Sequence, residues 1–136
     1  MRGARMGPWL VAGAANGFVA VAMGAFAAHG LKAVLDPAAL AWVETGSRYQ
    51  MAHALALLAV ALLIGDGEET SRRLLRLAGT TFLLGSVLFA GSLYLLALTG
   101  VAAFAWLTPL GGSALLIGWA ALTWYGGLCW RRSTNG

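Results

Sequence analysis

The stretch LAGTTFLLGSVLFAGSLYLLALTGVAAFAWLTPLGGSALLIGWAALTWYGGLCW, residues 77–130, contains no charged side chain. Such a run is far too long for a single passage through a hydrocarbon core of about 30 Å, and it suits two. The break between them is legible. Leu98-Thr99-Gly100 supplies a helix stop, and Thr108-Pro109 supplies a start, because threonine caps free backbone N–H groups and proline tolerates the first helical position. Two spans follow, roughly 77–98 and 109–130.

Working outward, the uncharged run from Met6 to Ala28 gives a span at roughly 7–28. The run between Arg48 and Asp66 gives another, at roughly 49–65. Asp36-Pro37 reads as a cap and first turn, and Glu44 with Arg48 forms an i,i+4 pair, which predicts a short external helix bent into the second span at Gly46-Ser47. Gly65 ends the second span, and Asp66 with Glu69 resembles a capping arrangement for the third, so these two spans form an antiparallel hairpin. The expected fold is all-α: one membrane domain over residues 1–136, a bundle of four transmembrane helices.

Composition agrees. A chain of 136 residues that is 60% apolar and 10% charged, with mean hydropathy +0.76, has more apolar surface than a soluble domain of this size can bury. The net charge of +4 comes from basic residues in short clusters between uncharged runs, as at helix ends facing anionic lipid. A nucleic-acid partner is not expected. With Cys129 as the single cysteine, no intrachain disulfide forms; an interfacial residue is the plain reading there, and lipidation the alternative. Arg2 and Arg5 before an apolar run ending near Ala25-Phe26-Ala27 also fit a cleaved signal peptide, but the run exceeds the usual signal core and carries a patterned set of glycines, so the first span is expected to be retained.

Four crossings put both termini and the middle loop on one side, with Arg2, Arg5, Arg72, Arg73, Arg76, Arg131 and Arg132; the other side holds only Lys32 and Arg48. The bias of basic residues toward the cytoplasm then places both termini inside, in a bacterial inner membrane. Trp9 and Trp130 fall near the inner boundary and Trp42 and Trp106 near the outer one, while Trp119 and Trp124 lie deeper as packing or lipid-facing residues.

Helices do not associate in lipid through apolarity alone, so small residues must allow close approach. Gly13, Gly17 and Gly24 form one such stripe, and Gly111 and Gly118 another. Contact within the bundle is the default for both, with self-association as the alternative. Asn16 lies at mid-depth, where an amide seeks an interhelical hydrogen bond.

Polar side chains gather at the outer end: His29, Tyr49, Gln50, His53, Ser92, Tyr94 and Thr108. Such groups near hydrocarbon are costly unless paired. Two readings stand: hydrogen bonds that fix helices and loops, or a binding site. Ligation of a metal or haem by His29 and His53 is chemically allowed, but no third ligand is fixed by spacing, so no metal or cofactor is expected. No serine, histidine and acid are arranged for hydrolysis, so an enzyme is not expected either. Proton-coupled transport generally uses a carboxylate within the membrane, and every acid here is placed in a loop.

The segments Gly24-Ala25-Phe26-Ala27-Ala28-His29-Gly30-Leu31, Tyr49-Gln50-Met51-Ala52-His53-Ala54-Leu55, Gly91-Ser92-Leu93-Tyr94 and Thr108-Pro109-Leu110-Gly111-Gly112 together resemble the domain-of-unknown-function family numbered 423, which includes transmembrane protein 256. The resemblance covers nearly the whole chain. It implies a small bacterial inner-membrane protein of four helices, with the first helix retained, and it brings no established activity. The motif-matching residues are His29, Tyr49, Gln50, His53, Ser92, Tyr94, Thr108, Pro109 and Gly112. The function expected is that of a small structural or accessory protein in the lipid bilayer, self-associating or joined to a membrane-protein partner. The alternatives are a binding protein for a lipid-like ligand, metal or cofactor at the outer-end cluster, and a small transporter.

Overall fold

Runs of alanine and leucine, with few β-branched residues, with Pro37 and Pro109 in first turns and with Pro8 alone inside a helix, give four long helices in the computed structural model, which describes residues 2–65 and 68–134. They are α1 (Arg2–Ala28), α2 (Pro37–Leu63), α3 (Glu69–Thr99) and α4 (Leu107–Thr134), joined by short 3₁₀ turns at Leu31–Ala33 and Ala102–Trp106. The shortest have 27 residues, about 40 Å at the helical rise, which exceeds a hydrocarbon core. Among the described residues three helical stretches are both long and apolar enough to cross a membrane: Gly3–Ala33, Glu69–Thr99 and Ala102–Thr134. α2 is as long but falls outside that set, its composition diluted by Arg48, Gln50 and His53.

The helix ends follow local chemistry. Asp36 caps α2, its Oδ1 accepting from the N–H groups of Ala38 at 2.8 Å and Ala39 at 3.0 Å, with Pro37 in the first turn. α3 stops at Gly100, whose φ of 68° is left-handed and available to glycine without a Cβ clash. The capping role read for Asp66 lies outside the described residues.

Three expectations need correction. No separate external helix precedes the second span: Pro37–Leu63 is one continuous helix, because Gly46 and Ser47 stay helical against Tyr94 and the Ala20 carbonyl of neighbouring helices. Glu44 consequently lies within α2 rather than in a loop, and among the described residues no ion pair joins it to Arg48. Thr108 is not the cap of α4. That helix begins at Leu107 directly from the 3₁₀ turn, so Thr108 sits inside its first turn, its hydroxyl 2.7 Å from that of Ser92 on α3.

α1 packs on α2, α2 on α3 and α3 on α4; α1 only brushes α3, and α4 has no backbone approach to α1 or α2 among the described residues. The packing forms two apolar cores. One, toward the arginine-rich end, is built on Leu57, Val60, Leu75, Phe82 and Leu115; the other, toward the opposite end, on Ala27, Val43, Ala90 and Tyr94. Along α2 and α3, the polar residues Gln50 and Ser86 lie between them. Val11, Phe18, Leu62, Leu116 and Trp124 point outward and stay exposed, as lipid-facing side chains do.

Candidate functional site

Helix-to-helix closeness is set by glycine. A Cβ built on Gly13 would lie 2.8 Å from Leu58 Cδ2, and one on Gly24 3.0 Å from Ser47 Oγ, while Gly17 faces Ala54 at ordinary contact distance. All three face α2. Gly111 and Gly118 face α3: a Cβ on Gly111 would collide with the Phe89 backbone N, and one on Gly118 would lie 2.6 Å from Phe82 Cδ1. Both stripes are thus used within the chain. Gly46, read as a bend, has another role: Tyr94 Cε1 would lie 2.7 Å from its Cβ, so the missing side chain admits the tyrosine ring.

That ring delivers a hydroxyl into the interior. Tyr94 Oη donates to Gln50 Oε1 at 2.9 Å, and Gln50 Nε2 donates to Asn16 Oδ1 at 3.2 Å. Ser86 Oγ donates to the same Asn16 oxygen at 3.1 Å, and Asn16 Nδ2 donates to the Ala12 carbonyl at 3.0 Å. The chain Tyr94–Gln50–Asn16–Ser86 links α3 to α2 to α1 and back to α3. Asn16 and Gln50 are 5% and 6% exposed. In so apolar a surrounding an amide left without partners costs several kcal/mol, of order 1–3 even after relaxation, so closure of the chain is what makes its burial tolerable. Ser47 adds a further link, donating to the Ala20 carbonyl at 2.8 Å.

His53 belongs to a second group. Its Nε2 lies 3.0 Å from Trp119 Nε1, and its Nδ1 lies 2.7 Å from the Tyr49 carbonyl. An indole N–H only donates and a carbonyl only accepts, so the imidazole is neutral with its proton on Nδ1. Phe82 packs edge-on against Trp119 at 5.1 Å, and Tyr49 lies over Phe89 at 4.6 Å. Tyr49, His53, Phe89 and Trp119 line an open groove of about 320 Å³ between α2 and α4, together with Gly112, Leu115 and Leu116. Tyr49 and Trp119 remain 48% and 45% exposed.

The expected outer cluster is therefore divided. Gln50 and Tyr94 are joined in the interior, Tyr49 and His53 face the groove, and Ser92 pairs with Thr108. His29 joins none of these: it sits exposed after the last turn of α1, and among the described residues its side chain has no hydrogen bond. A shared ligand between His29 and His53 has no geometric basis, since α1 does not approach the helix His53 faces. Among the described residues no three His, Cys, Asp or Glu side chains converge. Sequence reading missed Ser86 and Trp119 as partners. Ser86 lies ten residues after Arg76 at the depth of Asn16, a signal that was available; Trp119 gave none, because its role needs the placement of α4.

The family model for "Protein of unknown function (DUF423)" matches residues 23–112. The chain belongs to the DUF423 family. A "UPF0382 membrane protein" of Haemophilus influenzae is 46% identical over 82% of this chain and 86% of its own length. The "UPF0382 inner membrane protein YgdD" of Escherichia coli K12 is 39% identical, covering 83% of this chain and 84% of the relative. The "UPF0382 membrane protein YwdK" of Bacillus subtilis is 41% identical, over 82% and 89%. No solved structure matches. This DUF423 chain thus belongs to a family of membrane proteins without an assigned activity. The matched residues include His29, Gln50, His53, Tyr94 and Thr108, whereas two of their partners in space, Asn16 and Trp119, lie outside them.

Proposed function

We propose that this DUF423 protein is a small structural or accessory protein of the bacterial inner membrane, crossing it four times, whose buried polar chain fixes its helices to one another. The observation that carries this reading is the use of Gln50: both ends of its amide are taken by residues of the same chain, Tyr94 and Asn16. Among the described residues no buried side-chain nitrogen or oxygen lacks a partner. Polar groups built to hold a substrate would point at open space; these point at one another. We assign no catalytic step.

The fourth crossing is supported by the way α2 packs. Its Ser47 meets Gly24 near the end of α1 and its Leu58 meets Gly13 further back, so α2 runs antiparallel along the depth of α1 while also packing on α3. A helix lying against two membrane-crossing neighbours at both levels crosses with them. An even number of crossings with basic residues at one end supports cytoplasmic termini. Any assembly with a second copy or another membrane protein uses a face other than the Gly13–Gly17 stripe, which α2 covers.

A cysteine placed at Lys32 and another at Arg72, each in a Cys129→Ser background, test the topology with a membrane-impermeant maleimide. Lys32→Cys labels from outside in spheroplasts and Arg72→Cys only after permeabilisation. Labelling of both from one side overturns four crossings or the orientation.

The groove beside His53 favours a second reading, a binding protein for a lipid-like ligand. His53→Ala separates the two. A structural role lowers the unfolding midpoint in detergent; a binding role leaves the midpoint in place and removes a co-purifying lipid-like molecule from the mass spectrum of the gently purified protein.

A further inference from the structure

Every unbalanced charge of this chain is at one end. The middle loop and the termini carry seven arginines against Asp66, Glu68 and Glu69, while at the opposite end Lys32 and Arg48 are offset by Asp36 and Glu44. The whole net charge of +4 therefore belongs to the arginine-rich end. Within it, the starts of α1 and α3 and the end of α2 enclose a groove of about 250 Å³, lined by Arg5, Arg72, Arg76 and the acidic Glu69, with Trp9 and Ile64 as its apolar wall.

The groove is built rather than incidental. Gly79, one turn beyond Arg76, lets the Trp9 indole lie flat on α3: a Cβ there would be 2.7 Å from Trp9 Cε3. The arginines are positioned by Glu69, which accepts from Arg72 Nη2 at 2.7 Å, Arg73 Nε at 3.2 Å and Arg76 Nη2 at 2.7 Å. Arg5 reaches across to donate to the Gly65 carbonyl at 3.4 Å. One carboxylate shared among three guanidiniums orients them without cancelling their charge. Arg76 commits one terminal nitrogen to it and keeps further N–H groups for an acceptor.

We propose that this groove binds the phosphate of an anionic phospholipid, with the guanidiniums on the headgroup and the Trp9 surface beneath the start of the acyl chains. An arginine fork matches phosphate oxygens, and an indole at the level of the headgroups is half buried and half wet. Guanidiniums directly above an apolar wall fit an amphipathic ligand better than a free anion, which gains nothing from the indole. The inference rests on this end lying at the lipid–water boundary and is independent of the number of crossings.

The test is a competition in detergent, read by native mass spectrometry. Purified full-length protein is mixed with equimolar dioleoyl-phosphatidylglycerol and dioleoyl-phosphatidylcholine, with and without millimolar inorganic phosphate. The expected result is preferential retention of phosphatidylglycerol that phosphate does not displace. The pair Arg5→Gln/Arg76→Gln should lower that preference about tenfold, whereas Arg131→Gln/Arg132→Gln, with the same loss of charge at the same end but away from the groove wall and from Glu69, should leave it within about twofold. If the first pair fails to fold, Arg76→Gln alone, on a half-exposed side chain, reads the same contrast at about threefold. Equal retention of the two lipids, equal loss in both charge pairs, or displacement by phosphate would each overturn the assignment.

Discussion

Trp119 and His53 are joined by an indole-to-imidazole hydrogen bond of 3.0 Å across two helices whose backbones do not approach each other. The bond bridges the groove between α2 and α4 and selects the imidazole form with the proton on Nδ1. Trp119→Phe keeps the ring against Phe82 and removes only the N–H, leaving His53 Nε2 without its donor at a site 5% exposed. The expected loss of stability is about 1–2 kcal/mol. Unfolding in mixed micelles measures it; an unchanged midpoint would show that the contact is not a bond.

The amide of Gln50 is the centre of the buried polar chain. Gln50→Leu removes it and leaves Asn16 and Tyr94 facing an alkyl group, so the variant should lose about 1–3 kcal/mol. Combined with Tyr94→Phe in a double-mutant cycle, the coupling should be about 0.6–1.7 kcal/mol, the range of hydrogen bonds between membrane helices. Strict additivity would argue against the chain as drawn.

Glycines at contacts and glycines on open faces should answer differently to alanine. A methyl at Gly111 meets the Phe89 backbone, which does not yield as a flexible side-chain end does, whereas Gly91 has open space around its Cβ position. Gly111→Ala is expected to cost about 1–3 kcal/mol and Gly91→Ala to be neutral or stabilising by up to about 1 kcal/mol. Thermal melting of the two variants side by side is sufficient, and similar midpoints would contradict the packing of α4 on α3.

Arg132 binds Glu68 and reaches Ser71, linking the last turn of α4 to the start of α3. Its partner is well exposed, so solvent and side-chain entropy offset most of the attraction. Arg132→Gln should shift stability by less than about 1 kcal/mol, with the shift shrinking as salt is raised. A large, salt-independent loss would mean that this pair is shielded from solvent.

Much of the fold is legible along the chain because its determinants are local. The Gly100 stop and the Asp36-Pro37 start each depend on a few neighbouring residues, and both occur where their chemistry predicts. The error over the external helix has the converse origin. Gly46-Ser47 reads as a breaker in isolation, but Tyr94 fills the space of the absent side chain and Ser47 bonds to α1, so neighbours hold helical what local propensity would bend.

The amino-acid order alone determined that the chain is apolar, helical and charged at one end, because composition, capping and the placement of arginines need no knowledge of what lies beside what. It also marked which polar residues have to find partners. Which partners they find was decided only in three dimensions: Gln50 turns inward to Asn16 and Tyr94, its near neighbour His53 turns to Trp119, and His29 is left at the surface. The reason is geometric. Depth along a helix follows from residue number, but the direction a side chain faces acquires meaning only when the neighbouring helices take their places, and here the close approaches permitted by glycine set those places.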